Sequence, residues 1–440
     1  MRKYFEFEQY RTDYKTEILA GITTFLSAMY IIVVNPAIVS ATGMPFNAVL
    51  TATVLVSALS SIFMGMYARI PILVAPGMGL NAFFTYTVVI GMGVKWETAL
   101  GAVLWSGIIF MLLSVFNIRT WIVHAIPKQI RYALAAGIGL FISFIGFKNA
   151  NFIIASPATL LTINKMDPII ITFLIGLAVT SILVIKRVKG ALIFGIAFTT
   201  LISVPIGRHW GDASLINFGL PTLVTWKGFM AFPDFSLIGK LDMIGSIKFS
   251  MFPVIFAFVF TDMFDSISTF IGVSEAANLV DKNGDPKNIK QALIVDAFAT
   301  GIAGILGSSP GTSYIESATG VKEGGRTGFT AVTAGLLFLP FMFLSPLLSI
   351  VPAIATAPAL ILVGVFMIRP VLKIHWDKFD DAIPAFLGMI LIPLTYSITQ
   401  GIVWSFLAWT VIKLAIGKWQ EISIMLIIID LFAILALVLH

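Results

Sequence analysis

The sequence predicts an all-α polytopic membrane protein of about fourteen spans, arranged as two inverted repeats of seven. Three observations carry that prediction. Of 440 residues, 58% are hydrophobic and only 11% charged, with a mean hydropathy of +0.98, which excludes an ordinary soluble domain. Apolar stretches of spanning length recur along the whole chain. Two of them are interrupted in the same way: 72–84 reads ILVAPGMGLNAFF and 304–326 reads GILGSSPGTSYIESATGVKEGGR, so that Pro76-Gly77 and Pro310-Gly311 break the two halves at matching places. Paired Gly/Pro breaks of this kind mark a binding site at a repeat interface.

The apolar segments fall at 18–40, 47–66, 70–91, 97–116, 132–147, 168–186 and 190–206. After a long polar-aromatic loop they resume at 249–272, 291–307, 310–321, 327–345, 356–369, 383–398 and 400–417. An odd number of spans per half turns the second half over relative to the first. A further run, Ile422–Leu439, has the length to span but no counterpart in the first half. The repeat is echoed by Ile122-Val123-His124-Ala125-Ile126 before the fifth span and Ile350-Val351-Pro352-Ala353-Ile354 before the twelfth. Most of the 28 Lys and Arg residues fall in loops that share one side if the N-terminus is cytoplasmic, which sets that orientation. Their excess over 22 acidic residues then reflects anionic lipid rather than nucleic acid. Met1–Lys15 is polar and charged, unlike a cleavable signal. The chain has no cysteine, and its four histidines are scattered, so no metal pattern is expected.

Within hydrocarbon, broken backbone is tolerated only where protein buries it or where it lines a cavity, and an ionisable residue there is a functional candidate. The third span carries Asn81 after its break and the tenth carries Glu316. A helix restarting after Pro310-Gly311 would turn the N–H groups of Thr312 and Ser313 into the same cavity. The eighth span, FPVIFAFVFTDMFDSISTFIGVSEA, puts Asp262 and Asp265 three residues apart on one helix face, near Ser266, Ser268 and Thr269. Desolvation and repulsion disfavour two charges there, which suits a proton carrier. One of the two is expected only to hydrogen-bond backbone N–H groups, and Asp265 is the better candidate for that role. Asp296, in the ninth span, is either a site residue or a structural partner. Phe25, Tyr30, Phe83, Phe84 and Tyr314 lie on or beside these elements, where a planar ligand could stack.

GMGLNAFF, the DxFD pair of the eighth span, and YIESATG-x3-GGRTG together resemble the AzgA-like purine permeases, a branch of the nucleobase–cation symporter-2 superfamily. The resemblance covers essentially the whole chain. It implies a core domain of spans 1–4 and 8–11 (residues 18–116 and 249–345) and a gate domain of spans 5–7 and 12–14 (132–206 and 356–440). It also implies a short strand leading into a half-helix in spans 3 and 10, supplied by ILVAPG and ILGSSPG. Asn81, Asp262 and Glu316 match the family's substrate-binding and coupling positions. The family's DxFDTxGT pattern is altered here, because Ser266 and Ser268 replace its threonine and first glycine. Ser268 would narrow the site or add a hydrogen bond.

The function expected is secondary active transport of a purine base (hypoxanthine, guanine or adenine) by proton symport and alternating access. Substrate contacts fall to Asn81, Phe83, Asp262, Thr312, Ser313 and Glu316, and proton coupling to Asp262, Asp265 and Glu316. A purine edge offers N–H donors beside lone pairs: Glu316 accepts, and Asn81 can do both. A sodium-coupled or anion transporter of the same architecture is the alternative. A hydrolase is set aside, since Asp262 and Asp265 share one helix and no H-E-x-x-H motif occurs. No cofactor is expected, and the coupling ion is H⁺ rather than Na⁺. The surroundings expected are the plasma membrane bilayer, with a homodimer left open and no nucleic-acid partner.

Overall fold

The computed structural model describes residues 1–116, 127–214, 221–277, 279 and 287–423, with scattered positions beyond, and the side chains at 268, 271, 275 and 276 lie outside that description. The echo at Ile122–Ile126 and most of Ile422–Leu439 fall outside it too.

Asp13 starts the first helix by accepting a hydrogen bond from Thr16 N at 2.7 Å. Helix α1 (Tyr14–Ala28) is separated by a short turn from α2 (Ile31–Val39), and α3 (Phe46–Phe63) follows. Strand β1 (Val74–Pro76) leads into α4 (Met78–Ala82), which widens into a π-helical stretch over Phe83–Gly91 before α5 (Trp96–Val115). Then come α6 (Lys128–Asn149), the hairpin of β2 (Ile153–Ser156) and β3 (Leu160–Ile163), α7 (Pro168–Ile185) and α8 (Ala191–Ser203). The second half repeats the plan with α9 (Phe252–Ala277), α10 (Ile289–Leu306), β4 (Gly311–Ser313), α11 (Ser317–Lys322) and α12 (Gly328–Phe338). It closes with α13 (Ala353–Met367), α14 (Phe379–Thr395) and α15 (Ile398–Ala415). Each of the fourteen apolar segments holds one or more of these elements. Among the described residues, nine helical stretches have the length and hydropathy to cross a membrane, and Met78–Gly91, Ala191–Ser203 and Gly328–Phe343 are shorter apolar helices.

Two sets of helices pack mainly within themselves. In one, α1 and α3 pack on α12, and α5 and α3 pack on α10; in the other, α6 packs on α13 and α14, α14 on α15, and α7 on α8. Without a hydrophobic drive between helices in lipid, such contacts depend on small residues that let backbones approach. Gly107 and Gly364 do this: a Cβ on Gly107 would lie 2.4 Å from Gly301 N in α10, and one on Gly364 would lie 2.3 Å from Gly139 O in α6.

The tenth span departs from the sequence expectation in one respect. The strand lies after Pro310, at Gly311–Ser313, and so takes only the last residue of ILGSSPG, and no helix begins at Thr312; α11 starts at Ser317. Pairing explains the difference. β4 runs antiparallel to β1 in the register Val74↔Ser313, Ala75↔Thr312, Pro76↔Gly311, so the backbone at Thr312 and Ser313 is committed to a sheet.

Candidate functional site

The two breaks cross each other. Beyond the β1–β4 ladder, Gly77 N donates to Pro310 O and Tyr314 N to Leu73 O, both at 2.9 Å. Ser61 brackets β1 from α3, donating to Val74 O (2.9 Å) and accepting from Val74 N (3.0 Å), while Leu73 N donates to Ser317 Oγ (3.0 Å). Gly77 lets the two breaks approach closely, because a Cβ there would lie 2.7 Å from Thr312 Cγ2 and push that side chain aside. The backbone polar groups freed by both breaks thus largely satisfy one another, as hydrocarbon depth requires.

Three carboxylates surround the crossing. Asp262 on α9 is fully buried; its Oδ2 contacts the Thr300 hydroxyl of α10, and its Oδ1 has no hydrogen-bond partner among the described residues. Thr300 Oγ1 also lies 2.8 Å from Gly311 O. One hydroxyl hydrogen cannot serve two acceptors well, so both contacts are satisfied together when Asp262 carries a proton. Asp296 is equally buried but fully occupied: it accepts from Ser266, and from Ser313 at 2.8 Å, and Ser266 in turn contacts Thr312 Oγ1 at 2.8 Å. Glu316 sits half-buried on the turn before α11, where its Oε1 accepts from Tyr30 Oη at 2.8 Å. Tyr314 donates to Pro76 O. Among the described residues, no Lys or Arg comes within ion-pairing distance of any of the three.

Asparagines occupy the other side. Asn35 Nδ2 donates to Thr53 Oγ1 (2.8 Å) and Ser308 Oγ (3.2 Å), while its Oδ1 accepts from Ser309 Oγ (3.0 Å) and Asn81 Nδ2 (3.1 Å). Asn81 Nδ2 also faces Met78 Sδ at 3.8 Å, and its Oδ1 is buried without a partner.

A small cavity opens between α9 and α6, where Thr261, Phe264 and Asp265 face Arg131, Leu134 and Ile138. Asp265 therefore lies on a cavity wall, whereas Asp262 is not among the residues that line it. Arg131 brings its guanidinium to 5.9 Å from the Phe264 ring. Electrostatically, Asp265, Glu316 and the Tyr30 and Tyr314 phenols act on one another. Phe83 is packed edge-to-face on Phe258, 5.0 Å between ring centroids, with no exposed surface. Asn81, Asp262, Thr312 and Ser313 are likewise buried at the crossing rather than open to the cavity, and the expectation for the Ser268 side chain lies outside the described residues.

Several residues of this site are not singled out by the sequence patterns. Asn35 and Thr300 read as isolated polar residues in apolar spans, although Asn35-Pro36 in mid-span is a signal. Glu17 is another: fully buried, it accepts from Arg326 N (3.0 Å), Thr327 N (3.3 Å) and Thr330 Oγ1. It caps the start of α12, which accounts for the GGRTG turn.

The model of the Permease family, Xan_ur_permease, matches residues 15–404. Adenine permease AdeP of Escherichia coli is 38% identical over 441 residues, covering 100% of this chain and 96% of that protein. Guanine/hypoxanthine permease PbuG of Bacillus subtilis is 41% identical over 435 residues, 96% of each chain. In structure, the transmembrane domain of the cyanobacterial bicarbonate transporter BicA superposes with a TM-score of 0.66 at 14% identity, covering 88% of this chain and 97% of that one. At that identity the likeness speaks for the fold alone, the inverted repeat of seven and seven. Matched over most of its length by the family model and end to end by these relatives, the chain belongs to the Permease family, the nucleobase/ascorbate transporter family to which its motifs pointed.

Proposed function

We propose that this protein is a secondary active transporter of purine nucleobases (hypoxanthine, guanine and adenine) that couples uptake to protons by alternating access. The observation that carries the reading is the end-to-end similarity to relatives named as adenine and guanine/hypoxanthine permeases. The site suits that cargo. The unpartnered oxygens at the crossing, Asn81 Oδ1 and Asp262 Oδ1, are acceptors in the ionised site, and a neutral purine edge brings N–H donors. Proton coupling is supported by the buried Asp262, with no cation beside it, and by the Thr300 hydroxyl shared between Asp262 and Gly311 O, a geometry that accommodates one proton.

In this reading the two packing sets are the core and gate domains. The cavity at Asp265 lies between them, and the basic loops put the N-terminus in the cytoplasm of a plasma-membrane protein. The test is uptake of radiolabelled adenine, hypoxanthine, guanine and uracil in a permease-deficient host, with pH and Na⁺ varied separately. Purines should accumulate, uptake should fall as external pH rises, and a protonophore should abolish accumulation. Accumulation that follows Na⁺ at fixed pH would replace the coupling ion, and equal uptake of uracil would remove the purine preference.

A further inference from the structure

We infer that Thr53 and Asn35, neither of which is a substrate contact, set the polarity of the substrate site by fixing which end of the Asn81 amide faces the ligand. The inference rests on the reading above that Asn81 meets a purine.

The argument is a count of hydrogens. An amide side chain can present either its NH₂ or its oxygen in a given direction, and only its network decides which. Thr53 Oγ1 donates its one hydrogen to Val49 O, one turn back on α3, at 2.7 Å. A hydroxyl that has spent its hydrogen can only accept. The group of Asn35 lying 2.8 Å from Thr53 must therefore be the donor Nδ2, which leaves Oδ1 facing Ser309 and Asn81. Both of those must donate to it. Asn81 thus spends its NH₂ on Asn35, and its Oδ1 is the end without a partner. All four hydrogen-bonding capacities of Asn35 are used, and Asn35, Thr53 and Asn81 have no exposed surface, so no water competes. A polarity that begins at a backbone carbonyl of α3 is handed through two side chains to the site. The same Asn35 holds Ser308 and Ser309 beside the other break, so one amide keeps both breaks in register. The consequence is a selectivity: Asn81 offers a carbonyl oxygen and requires an N–H from the ligand, rejecting one that brings a lone pair or a methyl group to that place.

The test uses purified full-length protein and equilibrium binding of hypoxanthine and its 1-, 7- and 9-methyl isomers. The parent should discriminate against the isomer whose methyl replaces the hydrogen facing Asn81, by about tenfold or more, the effect of leaving a buried acceptor unpaired. Asn81→Ala should collapse that ratio and so identify the isomer. Thr53→Val, close in shape and remote from the ligand, should collapse the same ratio to within about twofold, as should Asn35→Ala; Thr53→Ser, which keeps the hydroxyl, should retain it. A thermal melt confirms that each variant is folded, and if Asn35→Ala does not fold, Thr53→Val decides alone. A parent-like ratio in Thr53→Val, with Asn81→Ala collapsed, would overturn the relay while leaving purine transport intact. A ratio unmoved by Asn81→Ala would overturn it by removing Asn81 from the ligand. A parent that binds no purine would remove the functional reading and the inference together.

Discussion

Near the C-terminal end of α15, Lys413 has almost no exposed surface, and its ammonium reaches Asp380 (2.7 Å), Asp381 (2.8 Å) and Glu421 (2.7 Å) while lying over the Trp409 ring at 4.3 Å. At the β1–β4 crossing Asp262, Asp296 and Glu316 are held by hydroxyls and backbone groups, with no Lys or Arg partner among the described residues, and Asp262 Oδ1 has no hydrogen-bond partner there. Both clusters bury acid groups at a desolvation cost. In the first, a cation and its hydrogen bonds offset it, and the result ties α14 to α15. In the second nothing in the protein offsets it completely, which leaves room for a proton and a ligand to do so. A fully paired buried network holds a fold together, and an incompletely paired one is where function sits.

The largest expected effect breaks the unpaired cluster. Asp262→Asn imitates the protonated carboxyl: the new amide donates to Thr300, whose own hydrogen then serves Gly311 O. The protein should fold and exchange substrate across the membrane, yet lose accumulation against a gradient. Asp296→Asn, at a carboxylate already occupied by Ser266 and Ser313, should instead lower the thermal midpoint and leave the coupling ratio of the folded fraction unchanged. Counterflow and net uptake in proteoliposomes distinguish the two, and concentrative uptake by Asp262→Asn would remove Asp262 from coupling.

Next comes Glu316→Gln, which keeps the shape but exchanges an acceptor for an amide. A ligand N–H left unpaired costs about 2–4 kcal/mol in affinity, by analogy with charged hydrogen bonds. Binding should weaken accordingly at unchanged surface expression; affinity within twofold of the parent would place the ligand elsewhere.

How much of this contrast is legible in the sequence follows from how each part is built. The breaks at Pro76 and Pro310, the carboxylates of the eighth span and Glu316 announce themselves because polar and helix-breaking residues are costly in lipid. Pairing is another matter. That β4 starts after Pro310 depends on β1, far away in sequence, supplying its ladder. Lys413 reads from the sequence as one more basic residue at a span end, and only the packing of α14 on α15 brings Asp380 and Asp381 to it. Asn35 is hidden for the same reason, since its four partners come from α3, the third span and the approach to β4. The packing of Phe83 is likewise invisible in the sequence, since its edge-to-face partner Phe258 comes from α9.

On the paired side, Lys413→Met should cost about 2 kcal/mol of stability, below the range for breaking a fully buried pair because Glu421 is 45% exposed. The thermal midpoint in detergent should fall, while substrate affinity of the folded protein stays at the parent value. A drop in affinity without a drop in midpoint would make this cluster part of the transport machinery and end the contrast.

The smallest effect is a pH control on an exposed, satisfied carboxylate. Asp13 lies outside the spans, and the Thr16 N–H at the start of α1 holds its carboxyl below the ordinary value of 3.8. A lowered value in the folded state means that the charged cap stabilises the fold above the unfolded value and that this contribution is lost as pH falls through the folded one. The parent's thermal midpoint should therefore show a small decline confined to pH below about 4, and Asp13→Asn, which retains an acceptor for Thr16 but cannot titrate, should lack that decline. Uptake and its pH profile should be identical in the two proteins, since the proposed coupling assigns that pH dependence to the carboxylates at the crossing. If Asp13→Asn shifted the pH profile of uptake, the separation between satisfied acids that stabilise and unsatisfied ones that couple would fail at its simplest point.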